Sequence, residues 1–127
     1  MDLFSTFTAL GGGTDPSNRP MDGNDQMAFL QGKGESATNE VYYYIGDKLT
    51  AIRSGRWKSH FATVSNWPDG PIQEYSAPQL YDLLIDPLES RNLVYKKTYA
   101  VVEANMLMRA HLTEMKKYPN RVILPPI

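Results

Sequence analysis

Alternating apolar and polar positions in the middle of the chain predict three β-strands that form an antiparallel meander. The predicted strands are residues 41–45, 48–53 and 56–64. Gly46-Asp47 and Ser54-Gly55 separate them, and each pair is typical of a two-residue hairpin turn. A fourth strand is predicted at residues 80–85, after a long surface loop over residues 65–78.

Two-residue turns fix which residues lie opposite each other, and opposed residues share a face of the sheet. The resulting register pairs Val41 with Ile52, and Ile52 with Trp57. One face then collects an apolar set and is the expected core side: Val41, Tyr43, Ile45, Ile52, Trp57 and Phe61. The opposite face is basic and aromatic: Tyr42, Tyr44, Leu49, Ala51, Arg53, Arg56, Lys58 and His60.

Helical spacing of apolar residues predicts helices on both sides of this sheet segment. Near the start, Leu3, Phe7 and Leu10 mark a short helix, and a second one should run to Leu30 after an N-cap at Asn24 or Asp25. The longest predicted helix covers residues 96–118 and carries one apolar stripe: Val101, Ala104, Met108, Leu112 and Met115. The proline-containing tail that follows is expected to be extended.

These elements define the expected fold class and domain organisation. The pattern predicts an α+β fold: a four-stranded antiparallel sheet, a long C-terminal helix packed on one face, and short N-terminal helices. A chain of 127 residues can bury one good core, so residues 1–127 are expected to form a single domain. Its parts are a helical and loop lead-in (1–40), the sheet (41–95), the long helix (96–118) and the extended tail (119–127).

Composition excludes several classes of function. The 13 Lys and Arg residues nearly balance the 14 Asp and Glu residues, so neither nucleic acid nor a membrane is an expected partner. The absence of cysteine excludes disulfides, thiolate zinc sites and cysteine nucleophiles, and two histidines exclude a histidine-rich metal cluster. The sequence has no signal peptide pattern and no apolar run of the roughly 20 residues that span a bilayer. It therefore leaves the cellular compartment open.

The stretch LYDLLIDPLESRNLV, residues 80–94, contains two closely spaced carboxylates. Asp86, Pro87 and Glu89 match a helix start, with an N-cap, a proline at the first helical position and a capping box. The alternative is an acid–base pair, but the sequence offers neither carboxylate a partner that would raise its pKa. We therefore expect both carboxylates to be structural.

Four motifs, in order, resemble the C-terminal part of sulfatases of the arylsulfatase type. They are MDLFSTFTALGG, RPMDGNDQMAFLQGK, LTAIRSGRWKSHF and QLYDLLIDPLESRNL, which together cover most of the chain up to Leu93. Ser5 stands where the family usually has proline, a change of small cost at a helix start. The resemblance implies a C-terminal subdomain that completes the fold of a sulfate-ester hydrolase and frames its substrate cleft.

The resemblance also implies what this chain leaves to another part of the protein. Sulfatases use a formylglycine made within a Cys/Ser-x-Pro-x-Arg motif and a calcium ion, and neither set of residues is matched here. We therefore expect no catalytic, cofactor-binding or metal-binding residue in this chain, and the sulfatase catalytic domain as its partner. The alternative is a free-standing binding or oligomerisation module derived from the subdomain, with a homodimer as the expected assembly.

Lys58 and His60 are the candidate residues at the rim of the substrate cleft. The predicted register places them on one face with Arg53 and Arg56, where they can meet a sulfated or otherwise anionic ligand. The alternative is an ordinary solvated sheet face, which commonly carries Lys and Arg.

Two further features have structural and functional interpretations. Trp67 stands in a Pro/Gly loop and either anchors that loop or stacks on a substrate ring. Asp22 and Asp25 are two possible calcium ligands, but they do not complete an EF-hand pattern. A capping turn explains both, and we expect no metal there.

Overall fold

The computed structural model describes residues 2–18, 21–66 and 69–118. The chain forms two compact units, one made of residues up to Thr38 and from Arg109 onward, and one made of Asn39–Met108. The elements are α1 (Asp2–Leu10), α2 (Met27–Leu30), β1 (Glu40–Ile45), β2 (Lys48–Ser54), β3 (Trp57–Val64), β4 (Ile72–Asp82) and α3 (Thr98–Lys117). Among the described residues, no helix is both long and apolar enough to cross a membrane.

The second unit contains the four-stranded antiparallel sheet, in the order β1-β2-β3-β4, with the beginning of α3 packed against it. Tyr99 of α3 meets Trp57 edge-on with 5.9 Å between ring centroids, and Ser54 Oγ donates a hydrogen bond to Glu103 of α3. Four apolar residues are buried at this contact or beneath it: Ile52, Leu80, Ala100 and Ala104. The predicted α+β class, with the long helix on the Trp57 side, is confirmed.

The β2–β3 turn lies one residue later than predicted. Ser54 is opposite Trp57, so the loop is Gly55-Arg56 and not Ser54-Gly55. Gly55 has φ +54°, which suits glycine at the first position of a tight hairpin turn. Ile52 consequently lies opposite Ser59 and not opposite Trp57. Ile52 and Trp57 still lie on one face, because the residue opposite Ile52 changes by two positions, from Trp57 to Ser59, and side chains alternate with a period of two.

A β-bulge in β2 overturns the predicted faces of β1. Tyr43 lies opposite Ala51 and Tyr44 opposite Leu49, so Thr50 is the extra residue. The Thr50 hydroxyl donates to the Tyr43 carbonyl at 3.1 Å. An extra residue shifts the alternation, and Tyr43 therefore joins Ala51 on the side away from Trp57. The predicted core positions of Val41, Tyr43 and Ile45 on the Trp57 side are wrong.

The fourth strand begins much earlier than predicted and ends earlier. β4 runs over Ile72–Asp82, so the prediction of a loop up to Pro78 and a strand at 80–85 is wrong. Its first half carries exposed polar residues such as Gln73 and Glu74, which hide a strand from a hydrophobic pattern. Pro78 is tolerated because β4 is an edge strand and its register against β3 shifts between His60 and Ala62.

The first unit contains α1 and α2, and α1 buries its polar side. Ser5 and Thr6 are buried, and they hydrogen-bond to the Gly23 carbonyl and the Gln26 amide, respectively. The apolar side chains of α1 are 51–67 % exposed: Leu3, Phe4, Phe7 and Leu10. The Asp25 carboxylate accepts from the Met27 amide at 2.9 Å. The N-cap residue of α2 is Gln26, whose side chain makes no capping hydrogen bond, so the predicted N-cap at Asn24 or Asp25 is wrong.

The long helix α3 contributes its first residues, up to Met108, to the sheet unit and the remainder to the first unit. Its observed bounds lie within two residues of the predicted 96–118. Ala104 of the predicted apolar stripe is buried, whereas Leu112 is exposed. The predicted extended tail lies outside the described residues.

Candidate functional site

Lys58 and His60 lie side by side on the sheet face opposite the helix. They alternate along β3 with Trp57 and Ser59, so both point away from α3. This side of the sheet, the Lys58 face, includes Val41, Tyr43, Ala51, Arg53, Lys58, His60, Gln79 and Tyr81. The predicted grouping of Arg53, Lys58 and His60 on one face is confirmed.

Glu89 binds both candidate residues, a role that the sequence analysis missed. Its Oε1 accepts from Lys58 Nζ and its Oε2 contacts His60 Nε2, each at 2.5 Å. The side chains of Lys58, His60 and Glu89 are only 17 %, 17 % and 24 % exposed. The three residues therefore form a partly buried triad, named here the Lys58–Glu89–His60 triad, and not a row of solvated charges.

Glu89 reaches this position through an unusual backbone conformation. Its φ of +53° is the only positive value at a non-glycine residue in the described part of the chain. No helix starts at Asp86, so the predicted capping box is wrong. The Asp86 carboxylate accepts instead from the amides of Ser90 and Arg91, at 3.1 and 2.8 Å, which shapes the loop that presents Glu89. A positive φ is uncommon at a non-glycine residue, so the surrounding contacts must hold the Glu89 backbone in place.

Electrostatics favours the ionised form of Glu89. Burial disfavours its charge, but the hydrogen bonds from Lys58 and His60 outweigh burial and leave the pKa of Glu89 below its ordinary value. The Lys58 ammonium also lies 4.8 Å from the centre of the Tyr43 ring, a cation–π distance. The triad therefore joins an ammonium, a carboxylate and an imidazole.

An open cavity of about 360 Å³ adjoins the triad on the same face. It is lined by Tyr43, Tyr44, Ile45, Thr50, Ala51, Lys58, His60, Ala62, Thr63 and Val64. The bulge in β2 contributes to this lining, because it turns Tyr43 onto the Lys58 face. Tyr43 and the two triad residues Lys58 and His60 therefore border one concavity.

The two arginines of the predicted basic cluster are engaged elsewhere. Arg56 lies in the β2–β3 turn and binds the Asp82 carboxylate, with 2.8 Å between Nε and Oδ1. Arg53 shares the Lys58 face but donates from Nε to the Gly55 carbonyl at 2.9 Å. Neither arginine lines the cavity. The predicted cluster of four basic residues therefore reduces to Lys58 and His60 at this site.

The remaining candidates were a calcium site at Asp22 and Asp25 and a stacking role for Trp67. Over the ranges that the structure describes, no three His, Asp or Glu side chains are grouped to hold a metal ion. The Asp25 carboxylate accepts from the Met27 amide at the start of α2, and Trp67 lies outside the described residues. The chain has no cysteine and no Ser-x-Pro-x-Arg motif from which formylglycine is made. Neither the calcium ion nor the formylglycine of sulfatases fits the described part of this chain.

Comparison with known families identifies the class of protein that this fold and sequence define. Residues 36–124 match the family model described as the C-terminal region of aryl-sulfatase. The chain belongs to this family. Human arylsulfatase D is 33% identical over 115 residues, with 73% of this chain and 19% of the relative covered. Human N-acetylgalactosamine-6-sulfatase is 42% identical over 66 residues, with 52% of this chain and 12% of the relative covered.

A solved structure has a similar fold. The PsFucS1 sulfatase from Pseudoalteromonas sp. superposes with a TM-score of 0.84 and 33% sequence identity, over 94% of this chain and 26% of that one. The chain thus spans about a quarter of this sulfatase and less than a quarter of the two human relatives.

Proposed function

We propose that this chain serves as the C-terminal subdomain of a sulfatase-like sulfate-ester hydrolase, completes its fold and frames its substrate cleft, without catalysing the reaction itself. The family match over residues 36–124 carries this proposal. Sulfate-ester cleavage needs a strong nucleophile and positive charge around the leaving sulfate. Lys58, the only lysine or arginine that lines the cavity, is partly buried and already paired with Glu89, which favours a supporting role over a catalytic one.

The expected partner is the catalytic region of the sulfatase. The α1 helix has a contiguous apolar side made of Leu3, Phe4, Phe7 and Leu10, which is half or more exposed in this chain. Apolar surface of this kind commonly marks a contact with another protein region. The chain covers only 26% of the PsFucS1 sulfatase, so most of that fold is available as the covering surface.

Lys58 and His60 remain the proposed residues at the cleft rim. Both line the cavity, and Glu89 fixes their side chains in one orientation. Fixed side chains lose less conformational entropy when a ligand binds. We assign them contact with substrate, and no transfer of protons or electrons.

The alternative is a free-standing oligomerisation module, which the exposed apolar side of α1 also favours. The length of the native polypeptide distinguishes the two, and an immunoblot of the source cells with an antibody against this chain measures it. The proposal requires a polypeptide about four times as long as this chain, since the chain covers 26% of the PsFucS1 sulfatase. A band at 14.4 kDa alone would contradict the proposal and support the module.

A further inference from the structure

The loop between β4 and α3, residues 83–97, presents three large apolar side chains to solvent. Leu84, Ile85 and Leu88 are 71 %, 73 % and 88 % exposed, and they fall within five consecutive positions. Single exposed apolar residues are ordinary on a protein surface. A group of three in one short segment is the kind of surface that binds another molecule.

Hydrogen bonds hold the loop in the conformation that exposes this apolar group. The amides of Ile85 and Asp86 donate to the Asp82 carbonyl at 3.2 and 2.8 Å, and the Glu89 amide donates to the Asp86 carbonyl at 3.1 Å. The Asp86 carboxylate in turn accepts from the Ser90 amide at 3.1 Å. The segment is therefore already ordered, and little conformational entropy is lost when its apolar side chains enter another medium.

The charges of the loop are arranged asymmetrically. Both of its carboxylates make contacts within the chain, because Asp86 accepts from two backbone amides and Glu89 belongs to the triad. Its three cations, Arg91, Lys96 and Lys97, are exposed, and none of them forms an ion pair with another described residue. The loop therefore directs positive charge to solvent while its negative charge is engaged.

Two of the cations lie close to the apolar group. The carboxylate of Asp86, a residue inside that group, accepts from the Arg91 amide at 2.8 Å. The carboxylate of Asp82 accepts from the amide of the first residue of the group at 3.2 Å. The pKa of Asp82 is lowered chiefly by Arg56 and also by Lys97, which is therefore near this carboxylate.

An anionic lipid surface fits this combination better than a protein partner does. A standard protein interface involves about 20–30 residues on each side, far more than three apolar side chains on one loop. Membrane-surface binding needs less, because apolar insertion and attraction between cations and anionic lipids act together. The net charge of −1 describes the whole chain and does not reveal this local arrangement.

The exposed apolar side of α1 lacks the same charge pattern. Residues 1–10 contain one aspartate and neither lysine nor arginine. An apolar surface without cations has no electrostatic preference for anionic lipid. The contrast assigns the loop and α1 to different kinds of partner.

We propose that the loop over residues 83–97 docks the protein reversibly on an anionic lipid surface. Its three exposed apolar side chains enter the headgroup region, and its three cations contact lipid phosphates. This inference goes beyond the proposed function and does not depend on it, because the groups that bind lipid all belong to the loop itself.

Co-sedimentation of the 127-residue chain with lipid vesicles tests the proposal. The probes are phosphatidylcholine vesicles with and without about one-third phosphatidylserine. Each cation near an anionic surface contributes about fivefold to partitioning, so the three together should favour the anionic vesicles by at least about tenfold. Equal binding to the two kinds of vesicle, or no binding to the anionic ones, would overturn the proposal.

Variants of the loop separate its apolar and cationic contributions. They are made in the Phe4→Ser/Phe7→Ser background, so that neither the apolar side of α1 nor self-association contributes. Leu84→Ser/Ile85→Ser/Leu88→Ser should weaken binding to anionic vesicles by at least about tenfold, because it removes the inserted apolar surface. All three positions are exposed, so its urea midpoint should match that of the background.

The cations need a control of equal net charge. Arg91→Gln/Lys96→Gln/Lys97→Gln should weaken binding by at least about tenfold, for the electrostatic reason given above. The matched control removes three exposed cations elsewhere and should stay within about threefold of the background; it is Lys33→Gln/Arg109→Gln/Lys116→Gln. Equal losses in the two cation variants would contradict a docking role for the loop, as would unchanged binding in the apolar variant.

A fluorescent label at Leu88 tests insertion itself. The chain has no cysteine, so Leu88→Cys can carry a single polarity-sensitive fluorophore, with Glu35→Cys as the control at another exposed position. We expect anionic vesicles to shift the emission of the label at position 88 to shorter wavelength and to leave the control unchanged. Equal shifts at both positions would refute insertion of the loop. A shift that follows protein concentration without vesicles would show that a second copy covers the loop, which would also refute the proposal.

Discussion

Arg56 holds the carboxylate of Asp82 with two nitrogens. Nε lies 2.8 Å from Oδ1, and the terminal Nη2 contacts Oδ2. The Asp82 side chain is only 4 % exposed, and its Oδ1 also accepts from the Leu84 amide. The pair therefore ties the β2–β3 turn to the end of β4, and it fixes the direction in which the chain leaves the sheet.

Replacing Asp82 by Asn should lower stability most at neutral pH. The hydrogen bond from Arg56 lowers the pKa of Asp82 below its ordinary value, against the opposing effect of burial. A carboxylate whose pKa is lowered by folding stabilises the folded state at pH values above its ordinary pKa. This contribution is lost as the pH falls through the lowered pKa. We expect the urea midpoint of Asp82→Asn to lie below wild type at pH 7, with the gap closing in strong acid.

Glu74→Gln is the control for this carboxylate change. Glu74 pairs with Lys48 at an exposed site, where its side chain is 70 % exposed, and surface ion pairs contribute little. Its urea midpoint should match wild type at both pH values. Equal shifts of the urea midpoint at pH 7 for Asp82→Asn and Glu74→Gln would show that the Arg56–Asp82 pair stabilises the fold no more than a surface ion pair.

Two leucines near the end of β4 test the position of the core. Leu80 is fully buried, whereas Leu84 is 71 % exposed. Leu80→Ala should lower the free energy of unfolding by roughly 2–5 kcal/mol, because it leaves a cavity, and Leu84→Ala should stay within about 0.5 kcal/mol. Urea denaturation measures both. The reverse ranking would mean that Leu80 does not lie in the core.

Two buried hydroxyls in the sheet should respond in opposite directions. Ser59 Oγ is buried and has no hydrogen-bond partner among the described residues, whereas the Thr50 hydroxyl donates to Tyr43. Ser59→Ala should raise the free energy of unfolding by up to about 1 kcal/mol, because it removes an unpaired polar group. Thr50→Val should lower it by about 1 kcal/mol. Destabilisation of similar size by both changes would contradict the environment assigned to Ser59.

The isolated chain should self-associate through α1. Phe4 and Phe7 are 51 % and 61 % exposed on one side of this helix, and burial between two copies removes that apolar surface from water. We expect light scattering at tens of micromolar to give a dimer mass, and Phe4→Ser/Phe7→Ser to give a monomer. Tyr95→Ser, at a site that is 88 % exposed, should leave the dimer intact. A monomeric wild type would contradict this expectation.

Local sequence patterns predicted which segments form helices and strands better than they predicted how the strands pair. The alternation in β2 and β3 placed Lys58 and His60 on one face, because a shift of two residues preserves alternation. The extra residue Thr50 reversed the faces of β1, and no hydrophobic pattern marks a bulge. A single-residue insertion in a strand therefore reverses the faces that alternation predicts for its neighbour.

The role of Glu89 was missed for a related reason. Asp86, Pro87 and Glu89 have the spacing of a helix start, and this local signal masked a contact with β3, about thirty residues earlier in the chain. Part of the signal was present in β3 itself, because Lys58 and His60 share one face of the predicted strand. Their partial burial, which favours a nearby carboxylate, is visible only in the folded structure.

Hydrolysis of a chromogenic aryl sulfate by the purified chain, with calcium present, tests the central claim most directly. We expect no turnover above the buffer blank, because the chain has no formylglycine precursor motif and its described carboxylates form no metal-binding group. Turnover that co-purifies with the 14.4 kDa chain and scales with its concentration would contradict the supporting role assigned to this region.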